Sequence, residues 1–339
     1  MTPPDDDATT GDESTDEPAA SDGTANAGAE SLDPAAAFAA LSDPIRVDIL
    51  RELSAYRRET GGGDPIGFAD LRRRVEVRDS GRFRYHLNEL RDHFVEKAAG
   101  GDGYRLTHAG TAVVAAVISG TLTDASTTGR AELDSECLEC GEPAVATCEE
   151  GVCAVSCPND HRLFRWNVPP NATADATIPE VVERAELLAT QAIEQALTGL
   201  CPTCYDPIES EVEVRVGSER ESEAPTADES EDEERTESGD GDSTSRLRAV
   251  CDTCGGRVVG PVGFCLLVDP EVAAFYRRHG RRLRDHHVWE HPFVTDEAVS
   301  VVETDPVRVT VDVVIEGDCL RVTVDGTGSV VGTERTAET

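Results

Sequence analysis

Two Cys-x-x-Cys pairs, Cys201-Pro-Thr-Cys204 and Cys251-Asp-Thr-Cys254, constrain this chain more than any other feature of its sequence. Each pair places two thiolates on one ion, and two pairs close a tetrahedral site of four cysteines. The segments between them, residues 211–216 and 245–250, alternate apolar and polar residues as the two strands of a hairpin do. The pattern is that of a zinc ribbon whose hairpin tip has been expanded. A redox-active Cys-x-x-Cys competes as a reading of one pair alone, but two pairs joined by alternating segments favour structural zinc.

A third pair, Cys137-Leu-Glu-Cys140, faces a less regular partner, Cys157-Pro-Asn-Asp160-His161, with no cysteine at 160. Glu149-Glu-Gly151 makes the intervening turn and is flanked by Cys148 and Cys153. On a hairpin those two sit at the tip, ~15 Å from the pairs at ~3.3 Å per residue, and are spectators. The expected ligands are Cys137, Cys140, Cys157 and either His161 or Asp160, with histidine the commoner on zinc. A ribbon that has lost its metal is the alternative. Two structural zinc ions per chain are therefore expected, the one on Cys201, Cys204, Cys251 and Cys254 being the safer. Isolated Cys265 and Cys319 read as buried apolar thiols.

Charge divides the rest of the chain. It carries 31 Lys+Arg against 67 Asp+Glu, a formal net charge of −36, which excludes holding nucleic acid by positive charge overall. Lys97 is the only lysine. Acidic surfaces almost free of lysine are similar to those of extreme halophiles, where molar salt shortens the Debye length to ~3 Å and screens self-repulsion. Residues 1–32 hold nine acidic and no basic residues, and 217–245 hold twelve acidic residues against Arg220 and Arg235. Neither stretch has the apolar surface to offset its ordering entropy, so both are expected to be disordered. No apolar run approaches the ~20 residues of a membrane span, and the acidic N-terminus is unlike a signal peptide. A cytoplasmic protein with no membrane partner is expected, and eleven cysteines there point to metal or free thiols rather than disulfides.

Residues 33–123 differ, balancing thirteen basic with thirteen acidic residues, and within 71–94 seven arginines meet four acids. Ion pairing on a solvated helix face is the bland explanation. Asp33-Pro34 and Asp43-Pro44 are helix starts, an N-cap followed by proline at the first helical position. Ile45, Val47, Ile49, Leu50 and Leu53 mark an amphipathic helix to about Arg58. Phe68, Leu71 and Val75 give a short helix, and a turn at 76–79 leads, with Asp79 or Ser80 as cap, into a helix with the inward stripe Phe83, Leu87, Leu90 and Phe94. A hairpin with a glycine tip at 100–103 and a last helix over 108–119 follow, His108 reading as its cap.

That order is the order of a winged helix-turn-helix. Asp43-Pro-Ile-Arg-Val-Asp-Ile-Leu50 resembles the opening of ArsR-type winged-helix regulators, and Arg84-Tyr-His-Leu-Asn-Glu-Leu90 is similar to their recognition helix. Gly103-Tyr-Arg-Leu-Thr-His-Ala-Gly110 resembles the second wing strand running into the last helix. The whole chain is similar to regulators of halophilic archaea in which such a domain precedes zinc ribbons. The resemblance implies binding to double-stranded DNA, often as a homodimer. Arg82, Arg84, Tyr85, His86, Asn88 and Arg91 are expected to face outward, and arginine and asparagine grip guanine and adenine edges in pairs of bonds. Ser80, with the helix-start amides, is expected to hold a phosphate, and Arg78, Lys97 and Arg105 complete the expected contact set.

The remaining segments read as a linking helix over 179–200 and a C-terminal α+β module over 259–333 with strands at 299–303, 307–315 and 320–324. His286, His287 and His291 are assigned surface or packing roles. The expected fold class is thus α+β multidomain: disordered tail 1–32, winged helix-turn-helix 33–123, irregular zinc ribbon 131–168, linking helix, zinc ribbon 201–258 with the acidic insertion 217–245, and the C-terminal module. No nucleophile–base pair, phosphate loop or open metal site with a general base is apparent, so an enzyme is not expected. A DNA-binding transcriptional regulator leads. A component of the transcription machinery resembling the alpha subunit of archaeal transcription factor E comes second, and a zinc-stabilised interaction scaffold third.

Overall fold

Aspartate caps start the first two helices in the computed structural model, which describes residues 33–62, 64–98, 103–122, 127–215 and 244–337. Asp33 accepts from the Ala36 amide at 3.1 Å to open α1 (Pro34–Leu41), and Asp43 accepts from the Ile45 amide at 2.8 Å to open α2 (Pro44–Glu59). The chain is α+β and divides into two units, Met1–Ala112 and Val113–Thr339. The acidic tail 1–32, the tip of the expected hairpin and residues 216–243 lie outside the described residues. Thr244 and Ser245 are already strand, so the insertion ends earlier than its composition indicated.

In the first unit α2 packs on α3 (Phe68–Arg74) and α4 (Ser80–Leu90), with Ile49, Leu50, Leu53, Leu71, Phe83 and Leu87 buried. Strands β1 (Val95–Lys97) and β2 (Tyr104–Leu106) pair antiparallel, and Ile66 joins them through two backbone bonds with Tyr104 at 3.1 and 2.9 Å. Helix α5 (His108–Ile118) follows, with the boundary between units inside it. Its cap is Thr107, whose hydroxyl accepts from the Gly110 amide at 3.0 Å, and not His108. Gly110 is there because a Cβ would collide with the Phe94 carbonyl. Phe94 is buried as expected but from a turn, since α4 ends at Leu90.

In the second unit a four-stranded antiparallel meander runs β3 (Gly129–Glu136), β4 (Pro143–Glu149), β5 (Val152–Ser156) and β6 (Arg162–Asn167). After the single turn α6 (Pro170–Thr173) comes α7 (Ile178–Leu197), then a second sheet of β7 (Ser210–Arg215), β8 (Thr244–Val250) and β9 (Arg257–Pro261). A 3-10 segment (Val262–Val268) leads to α8 (Pro270–Arg278), which Asp269 caps. The last sheet is β10 (Val299–Thr304), β11 (Val307–Ile315), β12 (Asp318–Asp325) and β13 (Val330–Ala337). The sequence reading lacks β13, in which residues 331–336 are exposed and carry no apolar alternation.

Helix α7 does more than link. Val181, Val182, Ala185 and Ala189 enter a core with Leu133, Ala144, Phe164 and Trp289. One turn on, Ala192, Ile193 and Ala196 enter a larger core with Leu247, Leu266, Phe275 and the inward valines of β11 and β12. The alanines let the helix lie close on its neighbours, while Leu188 and Leu197, expected on the inward stripe, are half-buried. Cys265 is buried as expected; Cys319 is half-buried because it sits near the turn end of β12.

Candidate metal centres and candidate nucleic-acid interface

Three cysteine loops share one backbone design. The Cys137 amide donates to the Glu142 carbonyl at 2.9 Å and the Gly141 amide donates back to Cys137 at 2.8 Å. Cys201 repeats this with Asp206 and Tyr205 (2.9 and 3.0 Å), and Cys251 with Gly256 and Gly255 (both 2.9 Å). The residue after the second cysteine takes a left-handed backbone in each, at Gly141 (φ 73°), Tyr205 (φ 65°) and Gly255 (φ 70°). Glycine does this freely, and a tyrosine pays ~1–2 kcal/mol.

The fourth loop is one residue shorter. The Cys157 amide donates to the His161 carbonyl at 3.1 Å, the Asp160 amide donates to Cys157 at 3.0 Å, and the left-handed residue is Asp160 (φ 62°). The place of a second cysteine is thus the bend itself, and the next residue takes over. His161 Nδ1 lies 3.4 Å from Sγ of both Cys137 and Cys157, and Cys140 Sγ lies 3.7 Å from Cys157 Sγ. Of the two residues left open by the sequence, His161 joins the cluster and Asp160 does not.

The ligand atoms of Cys137, Cys140, Cys157 and His161 lie within 4.8 Å of one another, as do those of Cys201, Cys204, Cys251 and Cys254. In the second cluster Cys201 and Cys254 are 3.7 Å apart and Cys204 and Cys251 3.6 Å apart, sulfur to sulfur. A tetrahedron with metal–sulfur bonds of ~2.3 Å has edges of ~3.8 Å, so both clusters fit a four-coordinate ion. Two sites that could hold metal therefore lie in the second unit, one between the β3–β4 and β5–β6 loops and one between the loop before β7 and the β8–β9 loop.

Local electrostatics prepare some thiolates and resist others. The Cys204 amide beside its sulfur lowers the Cys201 thiol to about 6, and the Glu142 amide lowers Cys140 to about 7. Burial pushes Cys137 up to about 11. Crowded sulfurs of this kind share negative charge stably only around a cation. His161 turns its Nε2 to the Glu139 carboxylate at 3.3 Å, leaving Nδ1 for the sulfurs. Glu139 stands where an outer carboxylate would orient a histidine on a metal; the sequence marks it only as an acid inside a Cys-x-x-Cys pair.

Cys148 and Cys153 face each other across β4 and β5 at the turn end, buried and unbridged, outside both clusters. The expected packing roles hold for the histidines. His291 is buried, its Nε2–H donating to the Leu283 carbonyl and its Nδ1 accepting from the Tyr276 hydroxyl, each at 3.0 Å. His287 pairs with Glu186 at 2.8 Å and stacks on Trp289, and exposed His286 lies 3.7 Å from Glu290.

The arginines of the first unit fall into two groups. Arg72 donates to the carbonyls of Val77 and Arg78 at 2.9 and 2.7 Å, which holds the turn after α3. Arg73 pairs with Asp70 at 2.6 Å, and Arg74 with Glu52 and Glu59 at 2.9 and 2.6 Å. Ion pairing and turn-holding thus account for these three. Arg78, Arg82 and Arg84 are exposed and have no acidic partner among the described residues, although Arg84 lies over the Phe68 ring at 5.3 Å. Tyr85, Asn88 and Lys97 are exposed, Arg91 is half-buried beside Asp92, and Arg105 is exposed but held by Glu96 at 2.7 Å.

Two expectations for this face need correction. His86 is buried, not outward: positions 83, 86, 87 and 90 form one helical face, and its Nδ1 lies 3.6 Å from Asp43, the N-cap of α2. Of the two caps left open Asp79 serves, and its carboxylate, not a phosphate, takes the Arg82 amide at 2.7 Å, while Ser80 is the first residue of α4. One amide of the expected phosphate site is therefore committed to a carboxylate.

Residues 134–330, more than half of the chain, match the domain of unknown function DUF7351, and residues 34–117 match the domain of unknown function DUF7347. The first match starts in β3 and ends in β13; the second covers α1 to α5. No curated protein matches the chain. Among the described residues no helix is long and apolar enough to cross a membrane.

Proposed function

We propose, for a chain that belongs to the DUF7351 family, the role of a transcriptional regulator that binds duplex DNA through residues 33–123 as an ArsR-type winged helix-turn-helix. Two structural zinc ions stabilise its C-terminal unit. The reading rests on the division among the arginines: Arg72, Arg73 and Arg74 are used up by the fold, while Arg78, Arg82 and Arg84 are presented on and before α4 with no acidic partner among the described residues. A chain of net charge −36 that leaves three arginines without acidic partners within one seven-residue segment is suited to a polyanion there.

Arg82, Arg84 and Asn88 would reach base edges from α4, and Arg78, Ser80, Lys97 and Arg105 would hold the backbone on either side. Tyr85 is exposed on the same helix and Arg91 closes it. His86 supports α4 from beneath rather than touching DNA. A homodimer is supported by α1, an apolar helix with no buried residue and with Phe38 76 % exposed, which a second copy would cover. The zinc assignment is supported by the sulfur-rich, four-coordinate geometry of both clusters.

Mapping the genomic occupancy of the native protein, followed by gel shift of the recovered sites in molar salt, tests the reading. Discrete sites lost by Arg82→Ala with Arg84→Ala support it. Co-purification with RNA polymerase without site preference would move the protein to the transcription machinery instead.

A further inference from the structure

A groove of about 400 Å³ between the first two sheets of the C-terminal unit contains none of the residues assigned above to DNA or metal. Its walls are β6 and β9, the last strands of their respective sheets, and its floor includes Ala189 and Ile193 of α7. Five consecutive residues of β6, 162–166, and four of β9, 258–261, line it, together with 154–156 of β5. Consecutive side chains on a strand point to opposite faces. The groove follows β6 and β9 along consecutive residues, and both are end strands of their sheets, whereas β5 behind it is paired on both sides. Among the described residues neither edge is paired with a further strand, and a free edge offers a row of N–H and C=O groups to an incoming chain.

The side chains add chemistry to that geometry. Phe264, half-buried Trp166 and the exposed Val259 (48 %) give the groove apolar surface. Arg165 and Arg246 line it, exposed and with no acidic partner among the described residues. Arg248, two residues further along the same strand, is by contrast held by Glu211 and Glu213 at 3.3 and 3.7 Å. Charge alone would serve to protect an edge from pairing. Charge beside an apolar floor and an open edge serves to receive a strand.

We propose that this groove docks an extended, acidic segment of a partner protein, added as a strand along one of the two edges. Its apolar side chains would rest on the floor and its carboxylates would meet Arg165 and Arg246. Main-chain bonds supply affinity in this mode of recognition and alternate side chains supply specificity. The inference is independent of the DNA reading.

A fluorescein-labelled octapeptide of alternating valine and aspartate, offered to the full zinc-loaded chain, tests it by anisotropy and amide hydrogen exchange. The expected result is saturable binding with new protection in 162–167 or 257–261. Binding should weaken at least tenfold in Arg165→Glu with Arg246→Glu, and also in Arg165→Gln with Arg246→Gln, both variants retaining wild-type metal content. A peptide N-methylated at alternate residues, which lacks the edge bonds, should not bind. Absence of saturable binding, unchanged affinity in the arginine variants or protection elsewhere would overturn the proposal. So would an oligothymidylate that displaces the peptide with the same arginine dependence, which assigns the groove to nucleic acid. Binding seen only after deletion of residues 216–243 would assign it to this chain's own acidic tract and equally overturn an external partner.

Discussion

Replacing Cys201 by serine separates a metal that merely occupies a site from one that holds the fold. Cys201 and Cys251 are buried within the same core as Leu247, Val258 and Phe275, and that core continues into the valines of β11 and β12. An ion there ties the loop before β7 to the β8–β9 loop. Structural zinc contributes ~10–16 kcal/mol in small zinc domains, as much as the ~5–15 kcal/mol net stability of an ordinary domain. Losing it leaves crowded thiols within 4.8 Å of one another and no cation between them. Elemental analysis should fall from two zinc ions per chain toward one. The unfolding of the C-terminal unit should lose several kcal/mol as one cooperative step.

His161→Ala should cost the other ion with a milder effect on folding. The core under that sheet contains Cys148, Cys153, Val155 and Phe164 but neither Cys137 nor Cys157. Loss of metal therefore frees the two loops at one end while α7 stays packed. Glu139→Gln should weaken the same site ~10–100-fold, as loss of an outer-shell partner does, and Cys148→Ser should keep both ions. A wild-type content of one ion would show the first cluster to be metal-free. Loss of an ion with Cys148→Ser would mean that the β4–β5 register is wrong, and wild-type stability in Cys201→Ser without its ion would refute the coupling.

Other perturbations reach different parts of the molecule. Arg82→Ala with Arg84→Ala should weaken site-specific DNA binding by ~30-fold to ~10⁴-fold if each removes a base contact of ~1–3 kcal/mol, and unchanged gel shifts by the folded variant would refute the assignment of α4. Deleting residues 218–243 and closing β7 to β8 with a short turn should preserve zinc and melting temperature, because loop-closure entropy depends weakly on length; metal loss would show the tract to be part of the fold. Gly263→Ala should destabilise by ~3 kcal/mol or more, because a Cβ there would collide with the Phe293 carbonyl, and a wild-type melting curve would contradict the packing. Burial holds the pKa of His291 at about 4. The unfolded chain takes up that proton first as pH falls, so folding should lose ~1.4 kcal/mol between pH 8 and 5.5, and denaturant titration of His291→Phe should show that slope removed.

Much of the first unit was legible because its signals are local. Aspartate–proline starts, glycine breaks and helical spacing placed the helices of 33–118 within a residue or two, save that the stripe expected on α4 ran to Phe94, four residues past its end at Leu90. His86 escaped because its polarity was weighed above its position: 83, 86, 87 and 90 share a face, and Asp43, the cap of α2, lies opposite it. Which arginines were structural was not legible, since the partners of Arg74 lie 15 and 22 residues away on another helix. The role of α7 was hidden for a related reason. Its inward face is built largely of alanines, which carry little hydrophobic signal yet permit the close approach that lets one helix serve two cores. The groove between β6 and β9 depends on which strands end their sheets, a property of topology that no window of sequence contains.

The irregular metal cluster shows where spacing stops being a guide. Counting from Cys157, a regular pair requires a second cysteine at 160, and its absence leaves His161 and Asp160 as rival fourth ligands, with a ribbon that has lost its metal as the alternative. The backbone gives another account. In the three regular loops the left-handed residue follows the second ligand; in the fourth it stands at 160, because the loop closes one residue sooner. A thiol at Asp160 would sit on the bend, whereas the imidazole of the following residue reaches back to the same point and gains Glu139 behind it. A shortened loop and a longer ligand compensate each other. The same reasoning predicts that His161→Cys, with its shorter reach, will not restore a four-cysteine site unless a residue is inserted between 157 and 160 to recover the regular loop. Zinc content of His161→Cys with and without that insertion would decide it, and full occupancy without the insertion would refute the loop-length account.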